Sequence, residues 1–147
     1  MTVLLDVNVL VALIDPGHVF HDVAHDWFAT RAEDWATCPM TENGVVRVIS
    51  QPRYPNSTGT PATAIEIVRG LCALPGHVFW PDTVSLLDPH LLDSARLSAS
   101  GQVTDSYLLA LAIANSGRLA TFDRRVAAAA IPGGESAVLV LGPRGRR

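Results

Sequence analysis

A chain of 147 residues suits one domain with a single buried core, and 48% apolar against 17% charged residues is a globular composition, not a disordered one. A net charge of −3 and a pI near 5.9 argue against a protein that coats nucleic acid through a general basic surface. They leave room for an enzyme that handles nucleic acid at a local acidic site. All 11 basic residues are arginine, which removes every mechanism that needs a lysine. Apolar runs such as Leu108 to Ala114 are too short to span a bilayer, so no membrane association is expected. No signal peptide is evident, and Cys38 and Cys72 stand apart without disulfide or zinc-knuckle spacing; a reducing, cytoplasmic setting is expected.

Val3 to Leu5 read as a strand covered on both faces, ending at Asp6, with a helix over Asn8 to Ile14 packed back on it. Asp15-Pro16-Gly17 marks a turn. From Phe20 to Arg31 the residues Phe20, Val23, Ala24, Trp27 and Phe28 share one helical face. Trp35 to Cys38 is a second strand. Thr41 is placed to cap a helix through Val45, Val46, Val48 and Ile49 that stops at Pro52, with Glu42 in its first turn. Arg53 to Gly59 is a polar loop, and Thr60-Pro61 opens a helix that Pro75-Gly76 ends. His77 to Trp80 is a third strand. Pro89 splits the stretch from Thr83 to Ala99, leaving a short helix expected over His90 to Leu97. Asp105 introduces a helix over Ser106 to Ser116, which Gly117 terminates. Leu119 to Phe122 is a fourth strand ending at Asp123, Arg124 to Ala130 a short alanine-rich helix, and Val138 to Leu141 a last strand. Strands separated by helices predict a parallel α/β sheet of about four or five strands, in a domain over 1–141 with a basic tail over 142–147.

Asp6, Glu42, Asp105 and Asp123 share one feature: each sits where a strand, or a loop after one, gives way to a helix. In a parallel sheet those junctions emerge along one edge, so the four can converge. Converging carboxylates repel unless some stay protonated or a divalent cation relieves them. Oxygen donors without histidine or cysteine favour magnesium or manganese over zinc. The competing readings are local. Glu42 and Asp105 can complement helix dipoles, and Asp123 can serve as a turn residue or helix cap.

Leu4-Leu5-Asp6-Val7-Asn8-Val9-Leu10, Thr41-Glu42, Val103-Thr104-Asp105-Ser106-Tyr107-Leu108-Leu109-Ala110-Leu111-Ala112 and Leu119-Ala120-Thr121-Phe122-Asp123 together resemble the ordered motifs of PIN-domain ribonucleases. In particular they resemble the VapC toxins of bacterial toxin–antitoxin pairs. The resemblance spans residues 3 to 123, with the Glu42 motif its least distinctive member. It implies a three-layer α/β/α fold, RNA cleavage dependent on Mg2+ or Mn2+, and a VapB-like antitoxin as partner. Carried over by position, Asp6 and Asp105 would be the principal metal ligands. Glu42 and Asp123 would complete the cluster directly or through water, and Asn8 and Thr121 would orient it. For these last two, ordinary turn and strand roles remain open.

An RNA substrate needs basic and aromatic groups near the acids, and Arg47, Arg53, Tyr54, Arg124 and Arg125 are the candidates. The apolar excess, including Trp27, Phe28 and Trp35, suits core packing and also an interface, and a homodimer is expected. His21 and His25 stand at the spacing of a zinc-protease helix, but aspartate replaces the usual glutamate between them and no third ligand is apparent. A phosphoaspartate receiver, an aspartate-nucleophile phosphatase and a P-loop switch all want a lysine that this chain lacks. The remaining rival is a catalytically silent PIN-like module that only binds RNA or protein.

Overall fold

A computed structural model describes residues 1–142. Five parallel strands, β1 (Val3–Leu5), β2 (Trp35–Thr37), β3 (His77–Phe79), β4 (Arg118–Thr121) and β5 (Val138–Val140), lie in the order β3-β2-β1-β4-β5. All three residues of β1 are buried, as an unbroken apolar run at the centre of a covered parallel sheet must be. Its side chains alternate between two cores. Val3 and Leu5 join Trp35 under the helices α1 (Val7–Ile14), α2 (His21–Thr30), α3 (Pro39–Ser50) and α4 (Pro61–Cys72). Leu4 joins Ala36 and Leu119 on the opposite face, against α5 (Val103–Ala114) and the short α6 (Gly134–Ala137). The result is the expected three-layer α/β/α arrangement.

Helix α5 is buried continuously from Ser106 to Ala112, more than the one-sided stripe of a surface helix. The cause is the segment between β3 and α5. Its apolar residues Val84, Leu86, Leu91, Leu92 and Leu97 pack onto the same core. That segment is mostly irregular: the helix expected over His90 to Leu97 shrinks to a 3-10 turn at Ser94–Arg96, capped by the Asp93 side chain accepting from the Ala95 N–H. Its leucines cover α5 individually and do not form a helical face.

Three other boundaries differ from expectation. Helix α3 starts at Pro39 with Cys38 as cap, because a proline in the first position is already set for helix. Thr41 sits in the first turn, where its hydroxyl accepts from the Cys38 N–H at 3.0 Å. The alanine-rich stretch after Asp123 forms turns and a single 3-10 turn at Ala128–Ala130, while the unexpected α6 follows Gly133. At the end of α5, Ser116 takes the left-handed φ of +56°, with Ser116 N–H donating to the Ile113 carbonyl and Gly117 N–H to that of Ala112. Gly117 is needed for closeness instead: a Cβ there would lie 2.4 Å from the Thr2 carbonyl oxygen and 2.6 Å from the Trp80 ring. Beyond Gly142, the basic tail lies outside the described residues.

Candidate active site

The chain builds outward from β1 through β2 to β3, then returns to place β4 on the other side of β1. The carboxyl ends of β1 and β4 therefore flank the point where strand order reverses, the position at which open α/β sheets leave a crevice. Asp6 follows β1 directly and caps α1, its Oδ1 accepting the Val7 N–H at 2.7 Å. Its Oδ2 accepts the Thr121 hydroxyl at 2.9 Å from the last residue of β4. The Thr121 oxygen in turn accepts the Asp123 N–H at 3.1 Å. Asp6, Thr121 and Asp123 thus form one hydrogen-bonded chain across the β1–β4 seam.

Asp105 arrives from the other layer, in the first turn of α5. Burial, then the charges of Asp6 and Asp123, push its pKa up to about 6, with Arg125 opposing. Asp6 is only 5% exposed, and burial raises its pKa too, against the hydrogen bonds from Thr121 and Val7. Three carboxylates therefore feel one another's charge in a partly desolvated place, and full ionisation is resisted. The donor set is all oxygen, and a hard divalent cation supplies the charge that would let these groups ionise together.

Of the other candidates, Arg125 lies at the site: its backbone N–H and its Nε both reach Asp123 Oδ1, at 2.7 and 3.3 Å. Arg124, Asn8 and Phe122 line a surface hollow with Asp123 and Arg125, and Asn8 is exposed there, making no hydrogen bond to Asp6. A second hollow on the other side of Asp123 and Arg125 is lined by Ser98, Ala99, Gly101 and Gln102. Sequence reading missed this wall, since its residues follow no periodic or motif pattern.

Tyr54 is engaged elsewhere. Its hydroxyl donates to Asp15 Oδ2, while Asn56 and the Gly17 N–H hold Asp15 Oδ1 at 2.7 and 2.8 Å. The Asp15 carboxyl is held below its usual range by these bonds, and burial, then the bond to Asp15, pushes the Tyr54 phenol up to about 12. This knot ties the loop after α3 to the end of α1, opposite the end that Asp6 caps. Arg53 adjoins it, and Arg47 lies in the last turn of α3, so neither basic residue shares the aspartates' end of its element.

Glu42 stands in the first turn of α3, but its Oε2 accepts the Thr37 hydroxyl at 2.6 Å. That hydroxyl also meets His77 Nε2 at 2.7 Å. Donor atoms of Glu42, Cys72 and His77 lie within 4.8 Å of one another; among the described residues no other three histidine, cysteine or acidic groups do so. The structure thus gathers Asp6, Asp105 and Asp123 into one electrostatic group and gives Glu42 Oε2 to Thr37, beside Cys72 and His77. Cys72 and His77 were missed because only the return from α4 to β3 brings them together. Their Cys-x4-His spacing around the Pro75-Gly76 turn was the available signal. His21, by contrast, spends its Nδ1 on the Ala12 carbonyl at 2.7 Å.

The PIN domain family model matches residues 3–132. The chain is 50% identical over 134 residues to Ribonuclease VapC44 of Mycobacterium tuberculosis, covering 90% of this chain and 94% of that protein. It is 45% identical to Ribonuclease VapC39 of the same organism, over 90% of this chain and 96% of that one. Among solved structures, Mycobacterium tuberculosis VapC20, a Sarcin-Ricin loop cleaving toxin, superposes with a TM-score of 0.60 at 14% identity, covering 88% of this chain and 95% of that one. VapBC2 from Rickettsia felis, bound to a DNA fragment from its promoter, gives 0.61 at 11% identity, over 97% of this chain and 100% of that one. At those identities the two structures bear on the fold alone.

Proposed function

The chain belongs to the PIN-domain family, and from that premise we propose that it is an endoribonuclease of the VapC type that hydrolyses RNA phosphodiester bonds with Mg2+ or Mn2+. The observation that carries this reading is the convergence of Asp6, Asp105 and Asp123 at the switch point of the sheet, where burial and mutual repulsion raise two of their pKa values. A binding module gains nothing from such a cluster, whereas a cation-dependent hydrolase needs it.

In this reading Asp6 and Asp105 hold the cation, and Asp123 supports it directly or through water. Held by these residues, a divalent cation would supply Lewis-acid chemistry, acidifying water and offsetting charge at the scissile phosphate. Thr121 fixes Asp6 Oδ2, so the carboxylate does not have to be ordered when the substrate arrives. Arg124 and Arg125 face the hollows beside Asp123, where a phosphate backbone would pass. Asn8 contributes a polar side chain to one of these hollows. Glu42 completes the acidic cluster directly or through water with its second carboxylate oxygen, since Thr37 takes only Oε2. Arg47, Arg53 and Tyr54 would at most touch remote parts of the RNA.

As a toxin of this type the chain would act in the cytoplasm, where cleavage of RNA arrests translation or growth until a VapB-like antitoxin binds it; the Rickettsia felis neighbour is such a VapBC pair. A homodimer is the proposed assembly. No helix among the described residues is long and apolar enough to cross a membrane.

The test is cleavage of defined RNAs by metal-stripped protein, with and without Mg2+, Mn2+ and excess chelator. Cleavage that returns with metal, and is absent in Asp6→Asn and Asp105→Asn, supports the reading. RNA binding with no metal-dependent cleavage would return the silent module.

A further inference from the structure

We infer that Glu42, Cys72 and His77 form a second cation site, for a thiophilic divalent ion of the zinc class, and that filling it withdraws Glu42 from the acidic centre. The inference rests on the nuclease reading for its consequence, though not for the site itself. The three ligands come from three elements: the first turn of α3, the last residue of α4 and the first residue of β3. Their donor atoms lie within 4.8 Å of one another. A tetrahedral zinc ion needs neighbouring donors about 3.5 Å apart, given metal–ligand bonds of about 2.0–2.3 Å. Side-chain rotation on half-buried residues can close that difference without moving the backbone.

The donor chemistry separates this site from the aspartates. Carboxylate, imidazole and thiolate together select zinc-like ions, whereas the aspartate cluster offers hard oxygen alone. Supporting contacts are already built. Trp35 packs against the His77 ring with centroids 4.7 Å apart, which limits its rotation. The buried Thr37 hydroxyl donates to Glu42 Oε2 and accepts from His77 Nε2. Thr37 thus holds Glu42 and His77 together before any cation arrives, as outer hydrogen bonds do around metal ligands. A cation would replace it as their common partner. Access is present, because Glu42 and Cys72 also line a groove between α3 and α4 with Asn43, Val46, Ile65, Val68 and Arg69.

The consequence follows from Glu42 being shared. A carboxylate turned toward zinc beside His77 is drawn away from Asp6 and Asp105, so filling this site should inhibit a magnesium-dependent cleavage.

The experiment uses the full chain, stripped of metal and titrated with Co2+ and Zn2+, alongside Cys72→Ser, Cys72→Ala, His77→Gln and Glu42→Gln, each checked for folding by circular dichroism. A thiolate-to-cobalt charge-transfer band that saturates at one thiolate-bound cobalt per chain is expected, whatever further cobalt the aspartates take up. The band should vanish in both Cys72 variants, and affinity should fall by more than about tenfold in His77→Gln and Glu42→Gln. Zinc should suppress the Mg2+-dependent cleavage of wild type, and Cys72→Ser should relieve that suppression. No thiolate band, or one indifferent to His77 and Glu42, would overturn the site and leave a Thr37-centred hydrogen-bond network. A normal band with cleavage indifferent to zinc would overturn the withdrawal of Glu42. Should the stripped protein cleave no RNA with Mg2+ or Mn2+, the nuclease reading fails while the cobalt spectrum still judges the site.

Discussion

Thr121 holds Asp6 by donating its hydroxyl to Oδ2, and the same oxygen accepts the Asp123 N–H. One buried side chain therefore sets two of the three acidic positions at once. Its place at the end of β4, beside the end of β1, makes that possible: the register pairing Leu5 with Ala120 puts Thr121 level with Asp6.

Thr121→Val keeps the shape and removes the hydroxyl, leaving a buried carboxylate oxygen without its donor. The loss is expected to cost about 1–3 kcal/mol, read as a lower urea midpoint. Because that bond lowers the Asp6 pKa against burial, its removal should also shift the acidic limb of the pH–rate profile upward. Thr121→Ser should restore both. A normal midpoint with an unshifted profile in the valine variant would show that Asp6 needs no such support.

Asp105 makes a prediction of opposite sign for stability. Its folded pKa of about 6 lies above its unfolded value, so the folded state binds the proton more tightly. Its contribution is most favourable below the unfolded value near 4, and declines as pH rises toward 6 and beyond. Asp105→Asn should therefore be more stable than wild type at pH 7.5, equal to it near pH 4, and inactive. Thermal melts across that range check the crossover, and added Mg2+ should stabilise wild type selectively by binding only the folded state. A wild type that gains stability steadily from pH 4 to 7.5 relative to the variant would reverse the sign and refute the cluster's strain.

Much of this site was legible in the chain because charge interrupts apolar runs. Asp6 ends a strand of buried residues, Asp123 follows shortly after another, and Asp105 opens the most extensively buried helix, so each is visible without knowing where the strands lie. The direction in which a side chain leaves a helix is not visible in that way. Glu42 has the right position along α3, yet the Thr37 hydroxyl and the β2–β3 pairing that brings His77 alongside decide where its carboxylate goes. The misread helices have a similar cause. Alanine propensity over residues 124–130 is weak beside Asp123, whose Oδ1 takes the Arg125 N–H into a local turn. Leu91, Leu92 and Leu97 are apolar because they cover α5, without lying on a helix of their own.

Tyr54 illustrates a residue whose role changes with its partner. Its hydroxyl bond to Asp15 is a bond to a charged group, and Tyr54→Phe should cost about 1.5–3 kcal/mol at neutral pH. The folded Asp15 pKa is depressed, so its contribution is present above the unfolded value near 4 and is lost as pH falls through the folded one. The gap between wild type and variant should accordingly narrow in acid. Equal urea midpoints at pH 7 would mean that Asn56 and Gly17 suffice for Asp15.

At the opposite end of the same strand pair, β1 and β4 begin at a close backbone approach. Gly117 lets the chain pass within contact of Thr2, whose carbonyl accepts the Arg118 N–H at 3.1 Å and so starts the β1–β4 ladder. A Cβ at 117 would press on that carbonyl, which is backbone, and on the Trp80 ring, which is buried. Neither can yield cheaply, so Gly117→Ala should lose at least about 1–3 kcal/mol as overpacking does. The strand pair it pries apart is the one that aligns Thr121 with Asp6, so residual folded protein should also need more Mg2+ for half-maximal cleavage. A variant that is destabilised but has an unchanged Mg2+ requirement would show that β1 and β4 stay in register at their carboxyl ends even when forced apart at their amino ends.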